Sequence, residues 1–287
     1  MNILVLGGTR FFGIPMVNKL ISRGHQVTIA TRGLTPDPFG NSVSRIRLDR
    51  SDKNSIARIF SGSRYELIID KTAYSSNDIK RILDHAECRK YILMSSSAVY
   101  DKMHRNTCED EFSPFLHELK WCERSTDYAE SKRQAECALF QKYSGQCSLA
   151  VRYPVVLGKN DYTGRLRFYA EHIINQTPMF IDDMESKIAF IEETEAGIFL
   201  AHLAESDLAG AINGCSEGTA SISDVVRYIE NKTGKRAVIS AEGDNAPYNG
   251  YPEYAALNTE KARSSGFIFS RLDEWLYKLI DHIIDAL

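Results

Sequence analysis

The chain has 287 residues, a formal net charge of −3 with neutral histidines, and a hydrophobic content of 43%. This length can bury one large core, or one domain with an attached lobe. The near-neutral charge, without a lysine or arginine run, gives no support for nucleic acid as a partner. No apolar stretch reaches membrane-spanning length and no signal peptide precedes the first strand, so we expect no membrane partner and a cytoplasmic location. The six cysteines form no CxxC pair, and no metal is expected.

Residues 2–13 predict a strand, a glycine turn and the start of a helix. Four apolar residues lead into Gly7 and Gly8, and Gly13 follows at the start of an amphipathic segment. Glycines at such a turn allow backbone N–H groups at a helix start to approach a pyrophosphate closely. The stretch therefore predicts dinucleotide binding. A tight turn of another parallel-sheet protein is the alternative.

Two arginines bear on which dinucleotide is bound. Arg10 stands where the usual three-glycine signature has its middle glycine, as a surface residue or as a cation beside the cofactor phosphates. Thr31 and Arg32 follow the second predicted strand, 26–30, where a dinucleotide presents its adenosine ribose. An acid there would bind the 2′-hydroxyl of NAD, whereas an arginine can hold a 2′-phosphate. We expect NADP(H) rather than NAD(H), with a solvated loop arginine as the alternative.

Strands alternate with helices through the first half of the chain. Further strands are predicted at 46–48, 65–73, 91–94 and 148–157, and helices at 55–60, 77–86 and 127–136. This alternation predicts an α/β fold with a Rossmann-type doubly wound parallel sheet. Ligands collect at the carboxyl ends of such strands. Asp49, expected near the adenine amino group, follows one of these ends, and Thr72, Ala73 and Tyr74 lie at another.

Tyr128 and Lys132 lie four residues apart on a predicted helix. The spacing places both side chains on one face, so the ammonium is expected to favour the ionised form of the phenol. A phenol with a lowered pKa can exchange a proton with a carbonyl or alcohol oxygen while hydride moves to or from a nicotinamide. A hydroxyl from the serine run 95–97 would bind the same oxygen. For the pair alone, a chance occurrence on an exposed helix is the alternative.

Four motifs together resemble the short-chain dehydrogenase/reductase superfamily, in its extended branch of nucleotide-sugar epimerases, dehydratases and reductases. They are GGTRFFG at 7–13, SSSAVY at 95–100, YAESKRQAE at 128–136 and RYPVVLG at 152–158. The resemblance implies that Tyr128 is the acid/base and that Lys132 assists it and contacts the nicotinamide ribose. It also implies that Ser96 is the second hydrogen-bond donor, with Ser97 as a possible substitute.

The same resemblance implies the residues that bind cofactor and substrate. The expected cofactor-binding set is Gly7, Thr9, Arg10, Phe11, Phe12, Gly13, Thr31, Arg32, Asp49, Arg50, Thr72, Ala73, Tyr74, Tyr128, Lys132, Tyr153 and Val155. The expected substrate contacts are Ser97, Arg165, Arg167 and Tyr251, and the two arginines are candidates to hold a diphosphate. Solvent-facing arginines are the alternative for either one alone.

The resemblance also implies a division of the chain. Residues 1–158 are expected to form the dinucleotide-binding domain, and 159–287 mainly a smaller C-terminal substrate-binding lobe, with segments near 188–204 returning to the first domain. An apolar stripe on the last predicted helix, 271–287, is expected to seal a core, with a dimer face as the alternative. We expect a monomer or a homodimer.

A departure from the family pattern narrows the expected reaction. Ser97 and Ala98 occupy the places of the Asp-Glu pair of the sugar 4,6-dehydratases, so dehydration is not expected. Because Thr31 and Arg32 favour an exchanging cofactor, we expect an NADPH-dependent reductase with Tyr128 as proton donor. Its expected substrate is a keto group on a nucleotide-linked sugar, and the resemblance suggests a 4-keto-6-deoxy sugar. An NAD(P)-dependent nucleotide-sugar epimerase and a non-catalytic dinucleotide-binding sensor or scaffold are the alternatives.

Overall fold

A computed structural model describes residues 1–287, except for the side chain of Lys53. The strands of its main sheet are β1 Asn2–Leu6, β2 Gln26–Thr31, β3 Val43–Arg47, β4 Ser63–Asp70, β5 Ala86–Ser96, β6 Cys147–Tyr153 and β11 Gly210–Asn213. The short strands are β7 Val155–Leu157, β8 Met179–Phe180, β9 Lys187–Ile188, β10 Phe190–Glu192, β12 Ala220–Ser221, β13 Asp244–Asn245 and β14 Tyr254–Ala255. The helices are α1 Gly13–Ser22, α2 Lys53–Phe60, α3 Ser76–Leu83, α4 Tyr128–Lys142, α5 Arg165–Asn175, α6 Glu193–Ala204, α7 Ile222–Thr233, α8 Glu260–Ser264 and α9 Leu272–Asp285.

The main sheet is parallel throughout, with the strand order β11-β6-β5-β4-β1-β2-β3. The chain builds the sheet outward from β1 to β3, then returns to β4 on the other side of β1. Such a reversal opens a crevice outside the carboxyl ends of the strands, where α/β proteins bind ligands. The predicted Rossmann-type doubly wound sheet is confirmed.

Strand β1 shows how the sequence forms two layers of helices. Successive side chains on a strand point to opposite faces. Ile3 and Val5 accordingly pack into a core with apolar residues of α1 and α6, whereas Leu4 and Leu6 pack with residues of α2, α3 and α4. The unbroken apolar run of this strand therefore reflects burial on both faces, as is typical of parallel sheets.

Several predicted boundaries shift for identifiable reasons. The fourth strand ends at Asp70 rather than at residue 73, because the Asp70 carboxylate accepts hydrogen bonds from the backbone N–H groups of Thr72 and Ala73, each at 2.9 Å, and turns the chain. The predicted strand 148–157 is divided at Pro154, which has no N–H to donate to a ladder. Helix α4 continues beyond its predicted end at residue 136 to Lys142.

The second half of the chain builds a separate apolar core. Strands β7 and β10 pair in parallel, and residues of α5, α7 and α9 pack together around them. Helix α9 buries Leu272, Leu276, Leu279 and Ile280, which form the apolar stripe predicted from the sequence. Helix α6 instead packs against α1 in the core of the main sheet.

Candidate active site

The glycine turn has the geometry that a closely approaching anion requires. Gly7 and Gly8 both adopt a φ of +100°, which L side chains rarely tolerate. A Cβ at Gly13 would lie 2.8 Å from the Cα of Gly8, so the turn and the helix start are packed in direct contact. Helix α1 begins after Phe12 without a side-chain cap. The N–H groups of Gly13 and Ile14 donate to the carbonyls of Arg10 and Phe11, so what the helix start offers an anion is the positive end of its dipole, which no capping side chain neutralises.

A cavity of about 480 Å³ opens beside this turn, at the carboxyl ends of β1, β2 and β4. The predicted cofactor residues that line it are Gly7, Thr9, Arg10, Thr31, Arg32, Asp49, Arg50, Thr72 and Tyr74. Its lining includes four cationic side chains, the fourth being Lys71, and one acid, Asp49. Such an excess of positive charge complements the phosphates of a dinucleotide, so the residues present fit that group.

Arg10 and Arg32 lie at the β2 end of the cavity. The Arg10 Nε donates to the Thr35 Oγ1 at 2.9 Å, which places this side chain beside the loop that follows β2. Arg32 is exposed, and among the side chains that the structure describes its guanidinium has neither a hydrogen bond nor an ion pair. Hydrogen bonds from Ser51 lower the pKa of the nearby Asp49 carboxyl, and Arg32 adds to this effect. The Arg32 guanidinium is therefore available to a ligand.

Arg50 lines the same cavity but is already paired. Its Nη1 donates to Asp70 at 2.9 Å and to the Thr72 Oγ1 at 2.8 Å, and its Nη2 also contacts the Asp70 carboxylate. The Tyr91 hydroxyl donates to the same carboxylate at 2.5 Å. Burial opposes the ionisation of Asp70, but Arg50 outweighs it and holds the pKa of that carboxyl below its usual value. Arg50 therefore supports the cavity wall through a buried ion pair.

Helix α4 brings the predicted catalytic pair to the sheet edge. The Asp127 side chain caps the helix by accepting from the Glu130 N–H at 2.9 Å, so Tyr128 is the first helical residue. Lys132 is fully buried, and its Nζ donates to the carbonyl oxygens of Ala73 at 2.7 Å and Met94 at 2.9 Å. The ammonium lies 5.9 Å from the centroid of the Tyr128 ring. Two strand ends thereby fix the helix that carries the phenol.

The electrostatic state of the pair differs from the sequence expectation. The pKa of Tyr128 is raised, chiefly by burial around its hydroxyl, although 39% of the residue is exposed. The Ser96 side chain, Arg124 and Arg165 act in the opposite direction without outweighing burial. Burial also lowers the pKa of Lys132 to about 8. The expectation of a lowered phenol pKa is wrong, and the phenol is protonated at neutral pH.

The serine run places one hydroxyl beside the phenol. Ser96 ends β5, its Oγ accepts from the Ala98 N–H at 3.2 Å, and its side chain interacts with the Tyr128 hydroxyl. Ser97 is buried at the start of a short 3-10 turn. Ser95 donates to the buried Glu136 instead. Ser96 is therefore the member of the run placed to bind the same oxygen as the phenol.

The predicted substrate residues divide into two groups. Arg165 begins α5, and its charge acts on the phenols of both Tyr128 and Tyr251. Arg167 forms an exposed ion pair at 2.6 Å with Glu171, one helical turn further along α5. The structure therefore brings Arg165 within electrostatic range of both phenols and directs Arg167 to a surface contact.

Four predicted cofactor residues, Phe11, Phe12, Tyr153 and Val155, have their side chains in apolar cores. The Tyr153 hydroxyl donates to the Ala196 carbonyl at 2.7 Å, and its ring packs 6.1 Å from that of Phe12. Val155 is buried in the core of the second half. Phe11 and Phe12 are also almost fully buried. We therefore expect these residues to contact a ligand through their backbone atoms rather than their side chains.

Among the residues at the site that were not predicted from the sequence, three have side chains that bear on its chemistry. Lys71 and Tyr162 line the cavity, and the Arg124 guanidinium stacks on the ring of Tyr74 at 4.2 Å and acts on Tyr128. The position of Lys71, directly before the predicted Thr72 at a strand end, is a signal that could have identified it. Arg124 and Tyr162 lie in irregular segments, where no periodicity gives such a signal.

Other chemistry finds little support in the described part of the chain. Among the described side chains, no group of three or more His, Cys, Asp or Glu residues could hold a metal ion. None of the described helices is both long and apolar enough to cross a membrane.

Comparison with known proteins identifies a family for the chain and two relatives of limited coverage. The family described as NAD dependent epimerase/dehydratase matches residues 3–179. The chain is 29% identical over 114 residues to the chloroplast stem-loop binding protein of 41 kDa b from Arabidopsis thaliana, a match that covers 35% of this chain and 30% of that protein. It is 28% identical over 78 residues to the 2'-dehydrokanamycin reductase of Streptomyces kanamyceticus, covering 27% of this chain and 22% of the reductase. The matches thus span less than a third of either relative.

A solved structure extends the likeness to the whole chain at the level of the fold. The UDP-glucuronic acid 4-epimerase of Bacillus cereus, solved in complex with UDP-glucuronic acid and NAD, superimposes with a TM-score of 0.76 at 17% identity. The superposition covers 100% of both chains. At this identity the likeness shows a shared fold.

Proposed function

Since the chain belongs to the NAD dependent epimerase/dehydratase family, whose members are NAD(P)-dependent enzymes of the oxidoreductase type, we propose that it is an NADPH-dependent reductase of a keto group on a nucleotide-linked sugar. The observation that carries this proposal is the unpaired Arg32 guanidinium at the end of β2, beside a cavity with an excess of cations. A 2′-phosphate distinguishes NADPH from NADH, and an arginine fork matches it in charge and geometry. Arg10, on the same side of the cavity, supplies a second cation.

The protonated phenol can serve as the proton donor of a carbonyl reduction. When bound, the cofactor supplies the hydride. A carbonyl that receives it must also gain a proton on oxygen, and Tyr128 holds such a proton at neutral pH. The Ser96 hydroxyl donates a hydrogen bond to the same oxygen and stabilises its developing negative charge.

The second half of the chain is proposed to bind the substrate. Arg165, which acts on the Tyr128 and Tyr251 phenols, belongs to this half, and an arginine and an aromatic ring suit a diphosphate and a base or sugar. The residues 159–287 would then form mainly a substrate lobe, and a 4-keto-6-deoxy sugar is the proposed form of the substrate. The name of the Streptomyces relative, a reductase of a dehydro-aminoglycoside, favours carbonyl reduction and adds a ketosugar without a nucleotide as a second kind of substrate to test.

The test is a titration of the purified protein with NADPH and NADH, followed by absorbance at the nicotinamide band when ketosugars are added. Oxidation of NADPH by a 4-keto-6-deoxy nucleotide sugar is the expected result. Oxidation only with a ketosugar that lacks the nucleotide would transfer the proposal to that class. Interconversion of two sugars without net oxidation would replace the reductase with an epimerase, and cofactor binding without any turnover would leave a sensor or scaffold.

A further inference from the structure

Lys71 is a cation in the cavity that forms no ion pair with any described residue. It follows the last residue of β4, and its N–H donates to the Leu6 carbonyl of β1 at 3.2 Å, which fixes its backbone beside the glycine turn. A Cβ added at Gly7 would lie 3.6 Å from the Cβ of Lys71, so the two residues are in close contact. The side chain then crosses to the helix start, where its Nζ lies 3.9 Å from the centroid of the Phe12 ring.

No carboxylate neutralises this ammonium. Among the described residues, Lys71 forms no hydrogen bond through its Nζ and no ion pair. The one acid in the cavity lining, Asp49, binds Ser51, and the buried Asp70 next to Lys71 in the chain binds Arg50. The other lining cations, Arg10, Arg32 and Arg50, repel Lys71. Burial lowers the pKa of Lys71 to about 8, and no neighbouring charge raises it again.

An unpaired, half-buried cation is unfavourable for the protein alone. The aromatic face of Phe12 offsets part of the cost, since a lysine over a ring is stabilised by about 0.5–1 kcal/mol at exposed sites. A full offset requires an anion, and the site beside Lys71 is the uncapped start of α1, where helix geometry favours negative charge. The lysine and the helix start therefore face the same position.

We propose that Lys71 binds the pyrophosphate of the dinucleotide, opposite the start of α1. Arg32 and Arg10 lie at the β2 end and Lys71 at the glycine turn, so the cavity separates a cation site for the 2′-phosphate from one for the pyrophosphate. Lys71 would then strengthen the binding of any dinucleotide, while Arg32 discriminates between them. This inference rests on the proposed dinucleotide site, but not on the reaction or the sugar.

The test compares four ligands on Lys71→Met and Arg32→Ala. NADP⁺ carries both the pyrophosphate and the 2′-phosphate, ADP-ribose and NAD⁺ carry the pyrophosphate alone, and adenosine 2′-monophosphate lacks the pyrophosphate. Lys71→Met should weaken the first three by about tenfold or more, as expected for a lost charge-assisted hydrogen bond, and leave adenosine 2′-monophosphate unchanged. Arg32→Ala should weaken NADP⁺ and adenosine 2′-monophosphate and spare the other two. Isothermal titration calorimetry on the wild type and the two variants measures all twelve dissociation constants.

Two controls separate binding from folding. Methionine keeps the apolar stem over Phe12 and removes an unpaired charge, so the ligand-free melting temperature of Lys71→Met should equal or exceed that of the wild type. Lys71→Arg keeps the charge and should bind ADP-ribose within about threefold of the wild type. A purely structural lysine would not produce higher stability together with weaker binding.

The outcomes distinguish this inference from the proposed reaction. ADP-ribose bound equally well by Lys71→Met and by the wild type would overturn the assignment of Lys71. An equal loss for adenosine 2′-monophosphate would overturn it too, because the lysine would then act only through the general field of the cavity. Selective loss with no turnover of any ketosugar would uphold Lys71 and remove the reductase. A wild type that binds no dinucleotide would overturn both.

Discussion

The candidate site has two ends, the cation-lined cavity beside β2 and the start of α4 next to it, and they hold their charged side chains in opposite ways. At the β2 end, Arg32 is exposed and unpaired, and Arg10 makes one hydrogen bond to a loop threonine. At the α4 end, Lys132 is fully buried and bound to two carbonyl oxygens. A group that recognises a phosphate can remain mobile until the ligand arrives, whereas a group that positions a proton donor must be fixed beforehand. The difference suggests that selectivity and chemistry can be altered separately.

The largest expected effect is at the phenol. Tyr128→Phe removes the proton donor but leaves the ring and its contacts, so kcat should fall by about 10²–10⁴-fold. The dissociation constant of NADPH should change by less than about threefold, because the cavity cations are untouched. Stopped-flow rates and cofactor fluorescence measure the two quantities on the same sample. A comparable loss of both would show that the two ends are not separable.

The next effect concerns the buried pair that supports the cavity wall. Asp70→Asn removes the nearer counter-ion of Arg50 and leaves it only the Asp78 carboxylate, 3.7 Å from its Nε. Since breaking a buried pair costs about 3–5 kcal/mol of unfolding free energy, the cost here should approach that range from below. Glu171→Gln, which breaks the exposed pair with Arg167, is the matched control and should cost less than about 1 kcal/mol. Urea denaturation measures both. Equal costs would mean that the Arg50 guanidinium reaches solvent in the variant.

A smaller effect is expected on selectivity. Arg32→Ala should raise the dissociation constant of NADPH by about tenfold and leave that of NADH within a factor of about two, since only the former carries a 2′-phosphate. The ratio of the two constants, measured at constant salt, is the readout. An unchanged ratio would mean that Arg32 is a solvated loop residue that does not contact the 2′-phosphate, and it would favour NAD as the cofactor.

The smallest effect is the pH dependence of stability. The folded protein releases the Lys132 proton at a pKa of about 8, against an ordinary 10.5. Between these two pKa values Lys132 is protonated in the unfolded chain but not in the folded protein. Raising the pH within this range therefore stabilises the folded state, and the effect ends above the unfolded pKa. The wild type should therefore gain about 1 kcal/mol relative to Lys132→Met between roughly pH 7.5 and 9. Denaturation curves at these two pH values measure the change in unfolding free energy of each protein. An equal change in the wild type and in Lys132→Met would contradict the lowered pKa of Lys132.

The sequence predicted well what local pattern determines. The glycine turn, the alternating strands and helices and the position of Tyr128 on a helix all depend on residues close together in the chain. The predicted fold and the resemblance to the extended branch of short-chain dehydrogenases are confirmed, since the family match covers residues 3–179. The residue roles drawn from that resemblance stay predictions.

What the sequence did not predict depends on burial and on distant contacts. Arg50 pairs with Asp70 across two neighbouring segments, and nothing in the local sequence marks either residue as a partner. The phenol pKa moved in the direction opposite to the prediction because desolvation exceeds the attraction of nearby cations. Lys71 was missed because it is distinguished only by having no ion-pair partner among the described residues. The sequence alone does not show which carboxylates lie near it in the folded protein.

The two hydrogen bonds of Lys132 have a consequence for how activity responds to damage. One side chain links the end of β5 and the segment after β4 to the N-terminal part of α4. If the segment after β4 opens locally, Lys132 loses the Ala73 carbonyl and its hold on the helix that carries the phenol weakens, while the sheet is still intact. Catalysis should therefore cease before the fold does, so that enzyme activity becomes an early indicator of local unfolding and spectroscopic signals a late one.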